Sequence, residues 1–437
     1  MGAHPPDSPA ILAIFALTYA GIAVGHVPGL KLDRTGIALL GAIAVVVISG
    51  MPTTAAVGFV NWPTILLLFG FFVLSAQLRL SGFFDKIAGA VAGQLDDPGR
   101  FLFLLMVVTA AMSAVLNHDI VCVVFAPVVG AALLKRRLDP VPFLVALAIA
   151  GNIGAASTLV GNPQDMMIAQ VAGLSFGRYA LWCSVPVLFA LGSSYALIWA
   201  LSRRRLSTTG TTIGPTTAPS TTAATEPTTT AATVPPAAHA MLAPHPYDRV
   251  HTIKGLVILG LAIGFFFTNV PKEVVAMAAA GIHLASNKFN TDDLLGLVDW
   301  PILVLFTGLF VVTGAFQATG YGDQAVHWLA HLGVDLQSPP TLAIVTAALS
   351  NLINNSAAVL LLVKVANVTR APSAYVLALA NSFGGSLIIL GSVSNIIVVN
   401  QAREMGINIS FRAFARLGIP VTVVSMLGLL GWVALMT

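Results

Sequence analysis

Residues 151–165 read Gly-Asn-Ile-Gly-Ala-Ala-Ser-Thr-Leu-Val-Gly-Asn-Pro-Gln-Asp, and residues 381–395 read Asn-Ser-Phe-Gly-Gly-Ser-Leu-Ile-Ile-Leu-Gly-Ser-Val-Ser-Asn. Both stretches interrupt long apolar runs, at 141–173 and 373–402. Irregular backbone at membrane depth survives only where protein or a water-filled cavity satisfies its polar groups. Gly and Asn tolerate the dihedrals that such a break needs. Each break exposes helix N-terminal amides beside unwound carbonyls that can coordinate a cation. Two breaks of this kind predict discontinuous helices meeting near the bilayer midplane, as secondary transporters are built.

The rest of the chain fits a bilayer. Of 437 residues, 57% are hydrophobic and 9% are charged, against about 25% charged in a soluble domain. Mean hydropathy is +0.89. At roughly 20 apolar residues per span, the chain holds about ten spans plus hairpins. This composition excludes a cytosolic enzyme, a disordered chain and a nucleic-acid binder, despite a pI near 9.2. Cys122 and Cys183 lie in apolar runs, match neither a disulfide framework nor a metal spacing, and read as packing residues. Met1 to Ser8 carries no Lys or Arg, so the apolar run at 9–27 reads as a retained first span.

The composition changes sharply in the middle. Ser207 to Pro236 holds 13 Thr and 5 Pro, with Glu226 as its one charge. Such a segment cannot bury enough apolar surface to offset its ordering entropy, so 206–250 reads as a flexible linker. It separates an N-terminal half, 1–205, from a C-terminal half, 251–437, and the two resemble each other. Asn61-Trp62-Pro63 answers to Asp299-Trp300-Pro301 at an offset of 238, which Gly70/Gly308, Gly82/Gly320 and Asp85/Asp323 share. Ser113 to Asn117 answers to Ser350 to Asn354 at 237, and Gly154 and Gly161 answer to Gly384 and Gly391 at 230. Gly, Asn, Asp, Trp and Pro in a fixed order indicate duplication.

If the runs around 117 and 354 are re-entrant hairpins, each half has five crossings. An odd number inverts the halves relative to each other. Lysine and arginine placement agrees: with the linker cytoplasmic, 17 of these residues fall inside and only Arg178, Lys272, Lys364 and Arg370 fall outside. The expected fold is an all-α polytopic membrane protein of two inverted repeats, each with a hairpin and a broken helix. It sits in the plasma (inner) membrane with both termini outside.

Polar residues inside a membrane are costly and mark function. The candidate substrate- and ion-binding residues are Asn117, His118 and Asp119 at the first tip, and Asn354, Asn355 and Ser356 at the second. The first break adds Asn152, Gly154, Ser157, Thr158, Gly161, Asn162 and Asp165. The second adds Ser382, Gly384, Gly391, Ser392, Ser394 and Asn395. No Arg or Lys falls in these clusters, which favours a weakly charged oxyacid or a cation-coupled anion over an uncompensated dicarboxylate. Asp119 is the candidate coupling residue; its alternative role is to cap the second hairpin arm. Asp323, His327 and His331, at i, i+4 and i+8, have a spacing that could bind a metal but read better as the polar stripe of a surface helix.

Ser113 to Pro127 resembles the first hairpin of the ion-transporter superfamily, and 151–164 and 384–395 resemble its two broken helices. The nearest branches by resemblance are the arsenite-pump membrane subunit, its sodium/proton antiporter cousins, and the anion and citrate permeases. His118 stands where those relatives carry a small polar residue or Asn, and Gln164-Asp165 where they tend to carry Pro-Asn. The resemblance implies an elevator-type carrier, commonly a homodimer, with substrate held between the hairpin tips and the breaks. Its coupling ion would be H+ or Na+, with no cofactor. The expected function is secondary active transport of a small inorganic oxyanion, oxyacid or organic anion. Sodium/proton antiport is the alternative. A membrane-embedded enzyme ranks lower, since the chain has no His-Glu-x-x-His and no Gly-x-Ser-x-Gly. A passive channel fits poorly with two hairpin-closed half-sites. The chain has no nucleotide-binding motif, so pumping by hydrolysis would need a separate ATPase subunit.

Overall fold

The computed structural model describes residues 8–25, 31–206, 245–285, 288–365, 368 and 371–436. The linker read at 206–250 lies outside the described residues except at its ends, as do residues 1–7. Among the described residues the chain forms helices and no strand. The first half runs α1 (Ser8–Val24), α2 (Arg34–Ile48), α3 (Thr53–Gly58), α4 (Trp62–Leu80) and α5 (Phe83–Ala92). Then come hairpin arms α6 (Pro98–Val115) and α7 (His118–Lys135), broken pair α8 (Val141–Ala155) and α9 (Pro163–Val171), and α10 (Phe176–Leu206). The second half repeats that order as α11 (Arg249–Phe265), α12 (Lys272–Leu284), α13 (Thr291–Gly296), α14 (Trp300–Ala318) and α15 (Tyr321–His331). It continues with hairpin arms α16 (Pro339–Ile353) and α17 (Asn355–Val365), broken pair α18 (Ala371–Gly384) and α19 (Val393–Glu404), and α20 (Phe411–Met436).

Local chemistry starts the matched helices alike. Asn61 Oδ1 accepts the Thr64 N–H at 3.0 Å ahead of α4, and Asp299 Oδ1 accepts that of Ile302 at 3.2 Å ahead of α14. A Trp-Pro pair follows each cap, placing proline where its missing N–H costs nothing. Both helices end at a left-handed glycine, Gly82 at φ +71° and Gly320 at φ +77°, which turns the chain into α5 and α15.

Packing across the halves is reciprocal. A side-chain carbon added at Gly70 of α4 would lie 2.7 Å from the carbonyl carbon of Ala276 in α12. One added at Gly308 of α14 would lie 2.8 Å from that of Ala38 in α2. Ala38 and Ala276 are themselves 238 apart, so both contacts are one contact seen from either half. Ala76 packs with Leu297, and Phe59 lies against Gly314, again the same pair exchanged. Residue i meeting j while j's equivalent meets i's is the signature of a two-fold relation.

Six helices among the described residues are long and apolar enough to cross a bilayer, and hairpin arms α6 and α7 are two of them. Length alone would count them as spans; their contacts do not. The His118 ring at the tip lies 3.4 Å from the Gly161 carbonyl, between α8 and α9. Helix α9 continues for 9 residues beyond that point, so the hairpin stops short of the far side. In the second half, Asn351 Nδ2 donates to the Gly384 carbonyl at 2.8 Å, and α19 runs on for 12 residues. The hairpins differ in length: α6 and α7 have 18 residues each, α16 has 15 and α17 has 11. Asp323, His327 and His331 are all exposed on α15, as a polar surface stripe would be.

Candidate functional site

Tips and breaks converge. Arm α7 packs on α19, and arm α17 packs on α9, so each hairpin touches the broken helix of the opposite half. The breaks are then tied across the two-fold by matching bonds. Ser392 Oγ donates to Asn152 Oδ1 at 2.9 Å, and Asn162 Nδ2 donates to Ser382 Oγ at 3.2 Å. Asn152 and Ser382 are 230 apart, as are Asn162 and Ser392, so this too is one interaction made twice. Asn152 goes further: its Oδ1 also accepts from Ser394 Oγ at 3.1 Å, and its Nδ2 donates to Asn395 Oδ1 at 3.0 Å.

Each tip is shaped by an asparagine. Asn117 Oδ1 accepts the Asp119 N–H, and Asn354 Oδ1 accepts the Ser356 N–H, both at 2.9 Å. Asp119 is therefore not the cap of α7; Asn117 is. Asn354 holds φ +88° and ψ 143°, a region almost confined to glycine, and such strain clusters at functional sites. Gly154 and Gly161 admit no side chain: a carbon at Gly154 would overlap the Ala110 backbone, and one at Gly161 the Ala155 carbonyl. Gly384 repeats the first contact against Ala347, and Gly391 meets the Gly385 carbonyl.

The remaining site residues fall around these ties. Asn162 Oδ1 caps α9 through the Asp165 N–H at 2.7 Å, while its Nδ2 donates to Asp165 Oδ2 at 2.8 Å. Gln164 Nε2 donates to Ser356 Oγ at 2.8 Å, joining the first break to the second tip. Ser157 Oγ donates to the Gly154 carbonyl at 2.7 Å, and Thr158 Oγ1 to that of Ala114. Asn395 Nδ2 donates to the carbonyls of Gly385 at 2.7 Å and Ile388 at 3.0 Å. The two tips and two breaks thus come together.

What these bonds leave open matters most. Asp119 Oδ1 and Asp165 Oδ1 are buried without a hydrogen-bond partner, and so are the amide oxygens of Asn351, Asn355 and Asn381. Buried polar atoms are almost always bonded, so five unpaired acceptors distributed over the tips, hairpin arms and breaks leave these elements short of donors. His118 Nε2 lies 3.5 Å from Asp119 Oδ1. All five open atoms are oxygens, which suit a proton or a hard cation. Sequence reading overlooked Asn351 and Asn381 as ligands, although both stand inside quoted motifs. It also treated Asp299 only as a repeat marker. Burial raises the Asp299 carboxyl to about 6, opposed by its Ile302 N–H bond, and the charge of Asp119 adds to the rise.

A sequence model of the citrate transporter family matches residues 11–374. An uncharacterized transporter of Mycobacterium tuberculosis strain H37Rv is 29% identical over 434 residues, covering 95% of both chains. The silicon efflux transporter LSI3 of Oryza sativa subsp. japonica is 26% identical over 452 residues, covering 91% of this chain and 92% of its own. Among solved structures, the Alcanivorax borkumensis YdaH transporter superposes with a TM-score of 0.55 at 15% identity, over 99% of this chain and 98% of its own. The Neisseria gonorrhoeae MtrF structure gives 0.52 at 12% identity, over 100% and 94%. These two speak for the fold alone. The superfamily resemblance of hairpin and breaks holds, and so does the reading of a transporter over an enzyme. This polytopic membrane protein belongs to the citrate transporter family.

Proposed function

We propose that the chain is a secondary active transporter that moves a small organic anion or inorganic oxyacid, coupled to protons or sodium. The observation that carries this is the set of unpaired oxygens on Asp119, Asp165, Asn351, Asn355 and Asn381 around cross-bonded helix breaks. A site of this make-up attracts a cation, and a bound cation supplies the positive charge an anion needs where no Arg or Lys is present. Citrate, from the family's description, and silicic acid, from the rice relative, are the first substrates to test. The halves 1–205 and 251–437 carry one half-site each, joined by a cytoplasmic linker, with both termini outside. Hairpins and breaks move together as an elevator against α4, α12, α2 and α14, and two copies form a homodimer.

Sodium/proton antiport is the second reading, favoured by two buried carboxylates that, among the described residues, have no basic partner but His118. Purified protein in proteoliposomes separates these readings. Saturable uptake of citrate or silicic acid driven by an imposed proton or sodium gradient supports the first. Gradient exchange of sodium for protons with no anion flux supports the second. Neither flux would overturn both.

A further inference from the structure

Two adjoining cavities open away from the tips and breaks, where α8, α10 and α20 meet. The first, about 250 Å³, is walled by Leu201 and Ser202 of α10 and by Arg412 and Arg416 of α20. The second, about 380 Å³, shares both arginines and continues along Phe411, Ile419 and Pro420. Among the described residues no carboxylate lines either one. Ser202 is buried at 3% exposure, while Arg412 and Arg416 are exposed, one turn apart on the same helix face.

Helix length and the arginine cluster argue for this groove lying at the membrane surface. Helix α20 has 26 residues and α10 has 31, against the roughly 20 that cross the hydrocarbon. The surplus sits where α10 ends in Arg203-Arg204-Arg205 and α20 begins, at the end of the molecule from which the linker departs. A bilayer therefore presents headgroups to the arginine end and acyl chains to Ile419, which is 45% exposed. Guanidinium groups bind phosphate with two parallel donors, and basic pockets between membrane helices take anionic headgroups. A soluble anion would need only the two arginines; a lipid would also cover the apolar wall at Ile419 and Pro420.

We propose that this groove binds an anionic phospholipid of the linker-side leaflet, with its phosphate between Arg412 and Arg416 and its acyl chain along Ile419 and Pro420. Because α20 packs on α10, and both contact α8 of the first break, the lipid would brace that side of the bundle.

The test is a titration of the purified full chain in detergent with phosphatidylglycerol, phosphatidylcholine or inorganic phosphate, reading bound lipid by native mass spectrometry and the unfolding midpoint. Phosphatidylglycerol should bind and raise the midpoint, and phosphatidylcholine should bind far more weakly. At about one unit of interfacial attraction per cation, Arg412→Gln should weaken binding about fivefold and the double variant with Arg416→Gln about 30-fold. The paired Arg412→Lys and Arg416→Lys variant keeps the charge and should keep most of the binding, which guards against a double glutamine variant that misfolds. Equal affinity for the two lipids, or an unchanged preference in a folded glutamine variant, would overturn the proposal. Competition by inorganic phosphate as strong as that by the lipid would also overturn it.

Discussion

At the first hairpin tip His118 and Asp119 follow the capping Asn117; at the second, Asn355 and Ser356 follow Asn354, with the same 2.9 Å cap bond. Across the breaks, Asp165 of the first half stands where Asn395 stands in the second. The residues that shape backbone are shared: the caps, the tight glycines and the Asn152–Ser392 and Ser382–Asn162 ties. Those that could hold charge are not. The first half carries both site carboxylates, and the second offers the open amide oxygens of Asn351, Asn355 and Asn381. Symmetry therefore builds the frame of the two half-sites, and its breaking separates the side chains that could carry charge. Under the proposed function, proton exchange would fall to the first half-site and neutral oxygen coordination to the second.

Matched substitutions probe how far the symmetry extends. The largest difference should come from the glycines. A side chain at Gly154 overlaps the Ala110 backbone, whereas at Gly384 it lies 2.8 Å from the Ala347 Cα. Overpacking costs about 1–3 kcal/mol when side chains can yield, and more against backbone. Both clashes are with backbone, so both variants should lose folded protein on size exclusion, Gly154→Ala, with the deeper overlap, the more. Equal losses would mean that the first half is no tighter than the second.

Next come the cross-break ties. Asn152 makes three side-chain hydrogen bonds to the second half, and Ser382 accepts one from Asn162. At about 1 kcal/mol per buried bond, Asn152→Ala should cost about 2–3 kcal/mol and Ser382→Ala about 1 kcal/mol by denaturant unfolding. A Ser382→Ala cost matching that of Asn152→Ala would show that the second break depends equally on its partner.

The smallest effect concerns the helix caps, Asn61 in one half and Asp299 in the other. Burial raises the Asp299 carboxyl from 3.8 to about 6. Its contribution to stability is thus fully present below about pH 4 and lost as pH rises through about 6. Asp299→Asn borrows the cap of the first half and removes that loss. The variant should match the wild type near pH 4 and gain about 1 kcal/mol at pH 7.5, the figure allowing for solvent screening at a partly exposed site. A variant less stable at pH 7.5 would show that the charge itself is needed there.

Much of this was legible in the sequence because duplication repeats the residues that backbone geometry demands. Trp-Pro after a cap, glycine at a left-handed turn, and Gly and Asn at a break are each fixed by local sterics, so their spacing survives in one chain. Other features have no local signature. Hydropathy reports that α6 is apolar, not that it stops beside Gly161; only the tip contact reveals depth. Asn351 and Asn381 read as ordinary repeat residues until packing leaves their oxygens unpaired. Asp299 is 180 residues from Asp119 in sequence, and folding alone brings the two charges within reach. The unequal hairpin lengths likewise depend on which neighbours end each arm.

The division of labour between the half-sites is tested most directly at Asp119. Asparagine there preserves shape, and Asn117, not residue 119, caps the helix, so folding should survive. Substrate uptake by Asp119→Asn in proteoliposomes would be measured from pH 5.5 to 8.5, with and without a proton gradient. The variant should still exchange substrate across the membrane but no longer accumulate it against a gradient, with a pH profile flattened relative to wild type. Accumulation with the wild-type pH dependence would contradict it and leave Asp119 a structural residue.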